Sequence, residues 1–171
     1  ILNHFFGVIG EIILKHRGIV DKYLGDGLLG IFGAPVSSGY DADNAVAAAL
    51  EMQAAMTAIN HHVRTLIDQP LTMGISIHTA EALIGNIGFD KKMDYTVIGD
   101  SVNVVFRLQS LTKAKPDSIL ITEMTHQAVV KSLLQVTPFE VQDKNIARQL
   151  NFMRVYERHG QQSRQGKPEN R

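Results

Sequence analysis

The 171-residue chain contains no cysteine, which excludes disulfides, thiol nucleophiles and cysteine-based zinc sites together. It has no excess of either charge, since Lys plus Arg (17) equals Asp plus Glu (17). Phosphate-backbone affinity comes mainly from clustered positive charge, so this balance argues against a nucleic acid or an anionic membrane as partner. No apolar run approaches the roughly 18 residues of a membrane span. No basic segment followed by an apolar stretch and a small-residue cleavage site opens the chain. Those absences fit a cytoplasmic protein. No glycine loop ends in Gly-Lys-Ser or Gly-Lys-Thr, and no Gly-x-Ser-x-Gly elbow occurs, so neither a P-loop nor a serine hydrolase is indicated. The seven histidines assemble no zinc motif. His61 and His62 are adjacent, which keeps their rings off a single helical face, and they read as surface.

What is present is an ordinary globular balance, 44% hydrophobic and 20% charged, at the length of one domain. Leu2, Phe5, Phe6, Ile9, Ile12 and Ile13 recur at helical spacing, with Lys15, His16 and Arg17 in the last turn and Gly18 as the stop. The pattern is already under way at Ile1, which suggests a piece of a longer protein. Ile19 to Leu24 and Leu28 to Phe32 flank Gly25-Asp26-Gly27 and predict a β-hairpin. Asp41 or Asp43 is positioned to cap an Ala-rich helix from Ala42 to about His62, whose stripe from Ala45 to Met56 reads as core. Strands are expected at Leu71 to His78, Glu81 to Ile87 and Met93 to Val97. Ser101 to Leu111 reads as a helix with Val102, Val105 and Phe106 on its buried side. A strand (Ser118 to Thr122), a helix (Glu123 to Leu133) and a strand (Val136 to Val141) follow, and Phe152 to Glu157 closes the sheet. From Gly160 onward there is no apolar residue, so residues 159–171 are expected to form a flexible polar tail to a domain spanning 1–158. The class is α+β, with helices packed on one sheet face.

Chemistry concentrates in few places. Asp26, at a hairpin tip, suits the turn itself and would equally serve as a hard oxygen ligand for magnesium. Lys22 lies on the strand before it, a snorkelling lysine unless something is held there. Asn103 and Arg107 are four residues apart on one helix and share a face turned away from the Val102–Phe106 stripe. An amide and a guanidinium presented outward suit a phosphate or polar ligand, although a wet helix face would look the same.

Taken together, these pieces resemble the class III nucleotide cyclase catalytic domain. The resemblance rests on Asp21-Lys22-Tyr23-Leu24-Gly25-Asp26 leading to Ile31-Phe32-Gly33-Ala34-Pro35, and on Asp43 to Met52. It continues through Gly74-Ile75-Ser76-Ile77-His78-Thr79 and Gly85-Asn86-Ile87-Gly88. The most specific block is Asp94-Tyr95-Thr96-Val97-Ile98-Gly99-Asp100-Ser101-Val102-Asn103, extended by Arg107-Leu108. It implies a ferredoxin-like α+β sandwich, helices on an antiparallel-rich sheet, working as a homodimer with composite active sites inside a longer, regulated protein. The implied reaction converts ATP to 3′,5′-cyclic AMP and pyrophosphate, assisted by two Mg2+ or Mn2+ ions. By resemblance Asp26 is a metal ligand, Lys22 and Thr96 select the base, Asn103 orients the ribose, and Arg107 stabilises phosphate charge. A lysine and a threonine favour adenine, whereas guanine would prefer the reverse polarity, usually a Glu at the Lys22 position.

Three departures from the family pattern stand out. The Asp-Ile segment that carries a second metal aspartate is absent, which implies weak metal binding and little product from this chain alone. Ala80 replaces the glycine expected after Thr79. A late lysine that contacts the triphosphate corresponds best to Lys144, with Arg148 as the other candidate. Alternatives are a guanylate cyclase, or a cyclase-like module that only dimerises or binds nucleotide.

Overall fold

The computed structural model describes residues 1–131, 135–150 and 153–158. Helix α1 (Leu2–Lys15) forms where the apolar spacing predicts it and buries Ile9, Ile12 and Ile13. It stops differently from the expectation. His16 caps it, Arg17 takes the left-handed conformation at φ 63°, and Gly18 already opens strand β1 (Gly18–Leu24). Glycine is needed at 18 for space, because a Cβ there would lie 2.7 Å from Phe32 Cε1 and 2.8 Å from Ile13 Cγ2. β1 pairs antiparallel with β2 (Gly27–Phe32), with Leu24 opposite Gly27. The turn is therefore Gly25-Asp26, and Gly27 belongs to the strand.

Helix α2 (Asp41–Val63) buries Ala45, Val46, Ala48, Ala49, Met52 and Met56, as its stripe predicts. Ile9, Ile12 and Ile13 of α1 pack against Ala48, Met52, Met56 and Ile59. Each large apolar side chain buried this way contributes roughly 1.5–3 kcal/mol. Glu51 links the two helices, accepting from Lys15 Nζ at 2.7 Å with His16 Nε2 also 2.7 Å away. Neither Asp41 nor Asp43 caps α2; Tyr40 holds the cap position without a side-chain bond. Asp41 instead orders the preceding loop, accepting from the Ser38 amide at 3.0 Å, the Ser38 hydroxyl at 2.8 Å and the Ser37 hydroxyl. Burial pulls its pKa upward, but those serine bonds outweigh it and hold the carboxyl below its usual range.

The main sheet contains β3 (Ile75–Ile77), β6 (Ile119–Thr122), β7 (Val136–Phe139) and β8 (Val155–Arg158), in the order β3-β6-β8-β7. Only β3–β6 is parallel among these pairs. β6 is covered on both faces: Ile119 and Ile121 meet Ala49 of α2, while Leu120 points to the other side. β8 lies between β6 and β7 instead of closing an edge, because the chain returns through α5 (Lys144–Gln149) and pairs with both neighbours. The sequence did not suggest α5. Its start is set by Asp143, whose carboxylate accepts from the Asn145 amide at 2.8 Å and the Ile146 amide at 3.2 Å.

A separate hairpin, β4 (Leu83–Phe89) with β5 (Lys92–Ile98), leads into α3 (Asp100–Leu111). The buried side of α3 is Leu108 and Leu111, backed by Val104, against Leu120, Leu150 and Val155. This corrects the expected stripe: Phe106 is 42% exposed and Val102 and Val105 are only half-buried. Both stripes fit helical spacing, and the one carrying two leucines faces β6. Helix α4 (Glu123–Ala128) ends early because Val129 turns extended. Asp43, 6% exposed, accepts from the Val130 and Lys131 amides at 3.0 and 2.7 Å and ties this exit to α2. The predicted continuation of α4 over 132–133, the start of the last strand at Phe152 and the tail 159–171 lie outside the described residues. The architecture is α+β and rich in antiparallel pairing, as expected. Among the described residues, no helix is long and apolar enough to cross a membrane.

Candidate active site

The sequence-predicted residues form two groups joined by one segment of chain. In the first, Lys22 of β1 and Thr96 of β5, separated by 74 positions, meet directly: Lys22 Nζ donates to Thr96 Oγ1 at 2.9 Å. Asp21 completes the cluster. Its Oδ2 lies 3.1 Å from Lys22 Nζ and accepts the Thr96 hydroxyl at 3.1 Å. The Asp21 side chain is 0% exposed, whereas that of Lys22 is 43% exposed, so the ammonium opens to solvent over a covered carboxylate.

A β-bulge makes this possible. Val20 stands opposite Gly30 and Lys22 opposite Leu29, leaving Asp21 as the extra residue on β1. Neighbours on a regular strand point to opposite faces, and a bulge re-aims one of them. Asp21 and Lys22 therefore converge on the same hydroxyl. The sequence assigned no role to Asp21. The one available signal was an acidic residue interrupting the apolar Ile19-Val20 run.

The second group lies on α3 and α5. Arg107 Nη1 donates to the Gln149 carbonyl at 2.9 Å. Asp100, Val104, Arg107, Arg148 and Gln149 line an open cleft of about 380 Å³. Two guanidinium groups thus face one cleft. Lys144 opens α5 one turn before Arg148 and is exposed, but it does not line that cleft. Asn103 sits one turn before Arg107, on the exposed side of α3. Thr96, Asn103 and Arg107 all ride on β5, Gly99 and α3, a strand running straight into a helix.

Asp26 stands apart, exposed at the β1–β2 turn. Among the described residues, no group of three or more His, Asp or Glu side chains gathers in a position to hold a metal ion. A single carboxylate suits an ion that arrives on a triphosphate, since magnesium commonly takes one or two carboxylates and completes its shell with phosphate and water.

The Adenylate and Guanylate cyclase catalytic domain matches residues 1–150 of the chain. The chain belongs to this family. The Adenylate cyclase of Anabaena cylindrica is 35% identical over 136 residues, which is 77% of this chain and 25% of that protein, so the chain spans about a quarter of that relative's length. The crystal structure of the adenylyl cyclase CyaB from P. aeruginosa superposes with a TM-score of 0.80 at 31% identity, covering 96% of this chain and 83% of that one. The crystal structure of the guanylyl cyclase Cya2 gives 0.79 at 34% identity, covering 99% and 81%. One solved cyclase domain is thus named for adenylyl and the other for guanylyl chemistry at nearly equal identity. The base preference of this cyclase domain has to be read from its own side chains.

Proposed function

We propose that this domain is the catalytic unit of an adenylate cyclase, converting ATP to 3′,5′-cyclic AMP and pyrophosphate. The observation that carries the reading is the Lys22–Thr96 contact, 2.9 Å, from strands distant in sequence. Lys22 has a free N–H to donate to a ring nitrogen, and the Thr96 oxygen can accept from an exocyclic amine. That is the polarity of adenine's edge and the reverse of guanine's.

In the proposed reaction the ribose 3′ oxygen attacks the α-phosphorus in line. The 3′ O–P bond forms, the bond from the α-phosphorus to the bridging oxygen breaks, and the 3′ hydroxyl proton is released while pyrophosphate takes up the electron pair. Asn103 holds the ribose. Arg107 is fixed by the Gln149 carbonyl before substrate arrives, and a preorganised cation is most useful where phosphate charge develops. Arg148 shares its cleft and, with Lys144 beside it on α5, is the candidate to meet the triphosphate. Asp26 would supply one oxygen ligand to Mg2+ or Mn2+, which when bound would offset the negative charge of the phosphates.

A homodimer fits the apolar surface left open. Leu83, Ile87, Phe89 and Ile98 project from one face of the β4–β5 hairpin, at 66, 37, 65 and 43% exposure, and Thr96 lies on that same face. Phe106 of α3 is open as well. The cytoplasm and a longer regulated chain complete the reading. Product assays on the purified full-length protein that carries this domain, with ATP and GTP in magnesium and in manganese, test it. Cyclic AMP should dominate; a clear preference for GTP overturns the assignment.

A further inference from the structure

We infer that Asp21 is a positioning residue that fixes the direction of the Thr96 hydroxyl, and thereby makes the Lys22–Thr96 pair read a 6-amino purine and refuse a 6-oxo purine. The inference rests on the proposal that this pair meets the base. A threonine hydroxyl carries one proton and two lone pairs, so by itself it is indifferent: it accepts from an amine or donates to a carbonyl. A carboxylate oxygen only accepts. With Asp21 Oδ2 3.1 Å from Thr96 Oγ1, the hydroxyl proton is committed to Asp21. Lys22 Nζ donates to one lone pair of the same oxygen at 2.9 Å. What remains toward a ligand is a lone pair on Thr96 and an N–H on Lys22. An adenine edge, with a ring-nitrogen acceptor beside an amine donor, matches both. A guanine edge sets a ring N–H against the ammonium and a carbonyl oxygen against the lone pair.

The cost of the arrangement supports a role beyond packing. The Asp21 side chain is fully covered, and its Oδ1 is buried with no hydrogen-bond partner among the described residues. An unpartnered buried carboxylate oxygen destabilises a fold, and the β-bulge that delivers it interrupts a strand ladder. Lys22 alone gives little reason for this, because an exposed lysine is well solvated without a covered counter-charge.

The test compares kcat/KM for ATP and GTP in the purified parent, in Asp21→Ala and in Asp21→Leu, the last filling the covered space should alanine leave too large a void. Competition of ATP and GTP for a bound fluorescent nucleotide gives a second readout independent of turnover. Releasing the Thr96 proton should lower the ATP:GTP ratio about tenfold, since mispairing one polar group in a hydrogen-bonding site is worth at least that much. Asp21→Asn, whose amide oxygen can still accept from Thr96, should recover much of the discrimination. In a Thr96→Val background the Asp21 substitutions should change the ratio no further. An unchanged ratio in folded Asp21→Leu, while Lys22→Ala or Thr96→Val lowers it, overturns the inference and leaves the base-reading pair standing. No change in any of these variants overturns the base-reading proposal itself.

Discussion

Truncating Arg107 to alanine separates catalysis from architecture, because the structure gives the side chain a modest structural role and the proposal gives it a large chemical one. Among the described residues its side chain makes one hydrogen bond, from Nη1 to the Gln149 carbonyl, 2.9 Å, across the α3–α5 contact. A bond from a charged donor contributes about 1.5–3 kcal/mol when well buried. Arg107 is half-exposed, so the loss should be nearer about 1 kcal/mol, lowering the melting temperature by about 2–4 °C at this chain length. Leu108 and Leu111 keep α3 seated regardless. The chemical loss is larger: deleting one preorganised donor at a site of developing charge costs about 100- to 1000-fold in kcat. Because the contact is strongest in the transition state, kcat should fall far more than KM for ATP rises. Arg107→Lys keeps the charge without the planar fork and should recover only part of the rate. Initial rates of cyclic AMP formation, recorded beside melting curves, read both effects. If Arg107→Ala melts within those few degrees yet turns over ATP at the parental kcat, the side chain is only a bracket between helices.

Three further outcomes are expected. Leu108→Ala, at a position 0% exposed, should cost about 2–5 kcal/mol in urea unfolding; a loss well below that range would mean the α3–β6 core is looser than described. Burial holds the His78 pKa below its ordinary 6.5, so below that pH the unfolded chain takes up a proton that the folded chain resists, and stability falls as pH drops through the window. Melting temperature between about pH 7.5 and 5.5 should therefore decline less steeply in His78→Asn than in the parent, and parallel curves would refute the linkage. Phe89→Glu should abolish dimers in analytical ultracentrifugation and cyclic AMP formation together, whereas an active monomer would sink the composite-site proposal.

Legibility followed the range over which each feature is determined. The α2 stripe, the β1–β2 hairpin, the strands β4 and β5 and the end of β6 could be read because local periodicity and turn residues fix them. The buried side of α3 was misread, since Val102–Phe106 and Val104–Leu108–Leu111 are both regular at helical spacing and only the position of β6 chooses between them. α5 was missed for a different reason. Six residues offer too little periodicity, and its clearest mark, Asp143 accepting from two amides, looks in sequence like any loop aspartate. That omission also left Lys144 and Arg148 undecided, because only a helix shows which of them turns toward Arg107.

The site divides along the same line. Thr96 and Arg107 are set by one stretch of chain. From Thr96 to Gly99 it runs extended at about 3.3 Å per residue, roughly 10 Å, and from Gly99 to Arg107 it runs as a helix at about 1.5 Å per residue, roughly 12 Å. Gly99, at φ 130°, occupies backbone space that side-chain-bearing residues rarely adopt, and so joins strand to helix without a longer loop. The spacing between the hydroxyl proposed to meet the base and the guanidinium proposed to meet phosphate is therefore covalent in origin, and this block is the one that carried the most specific resemblance. Lys22 joins it only because β1 lies against β5, and Asp21 only because a bulge turns it toward the same oxygen. A bulge leaves no compositional trace beyond one acidic residue in an apolar run. The residue inferred to give the pair its polarity is thus the one that sequence spacing would have aimed away from it.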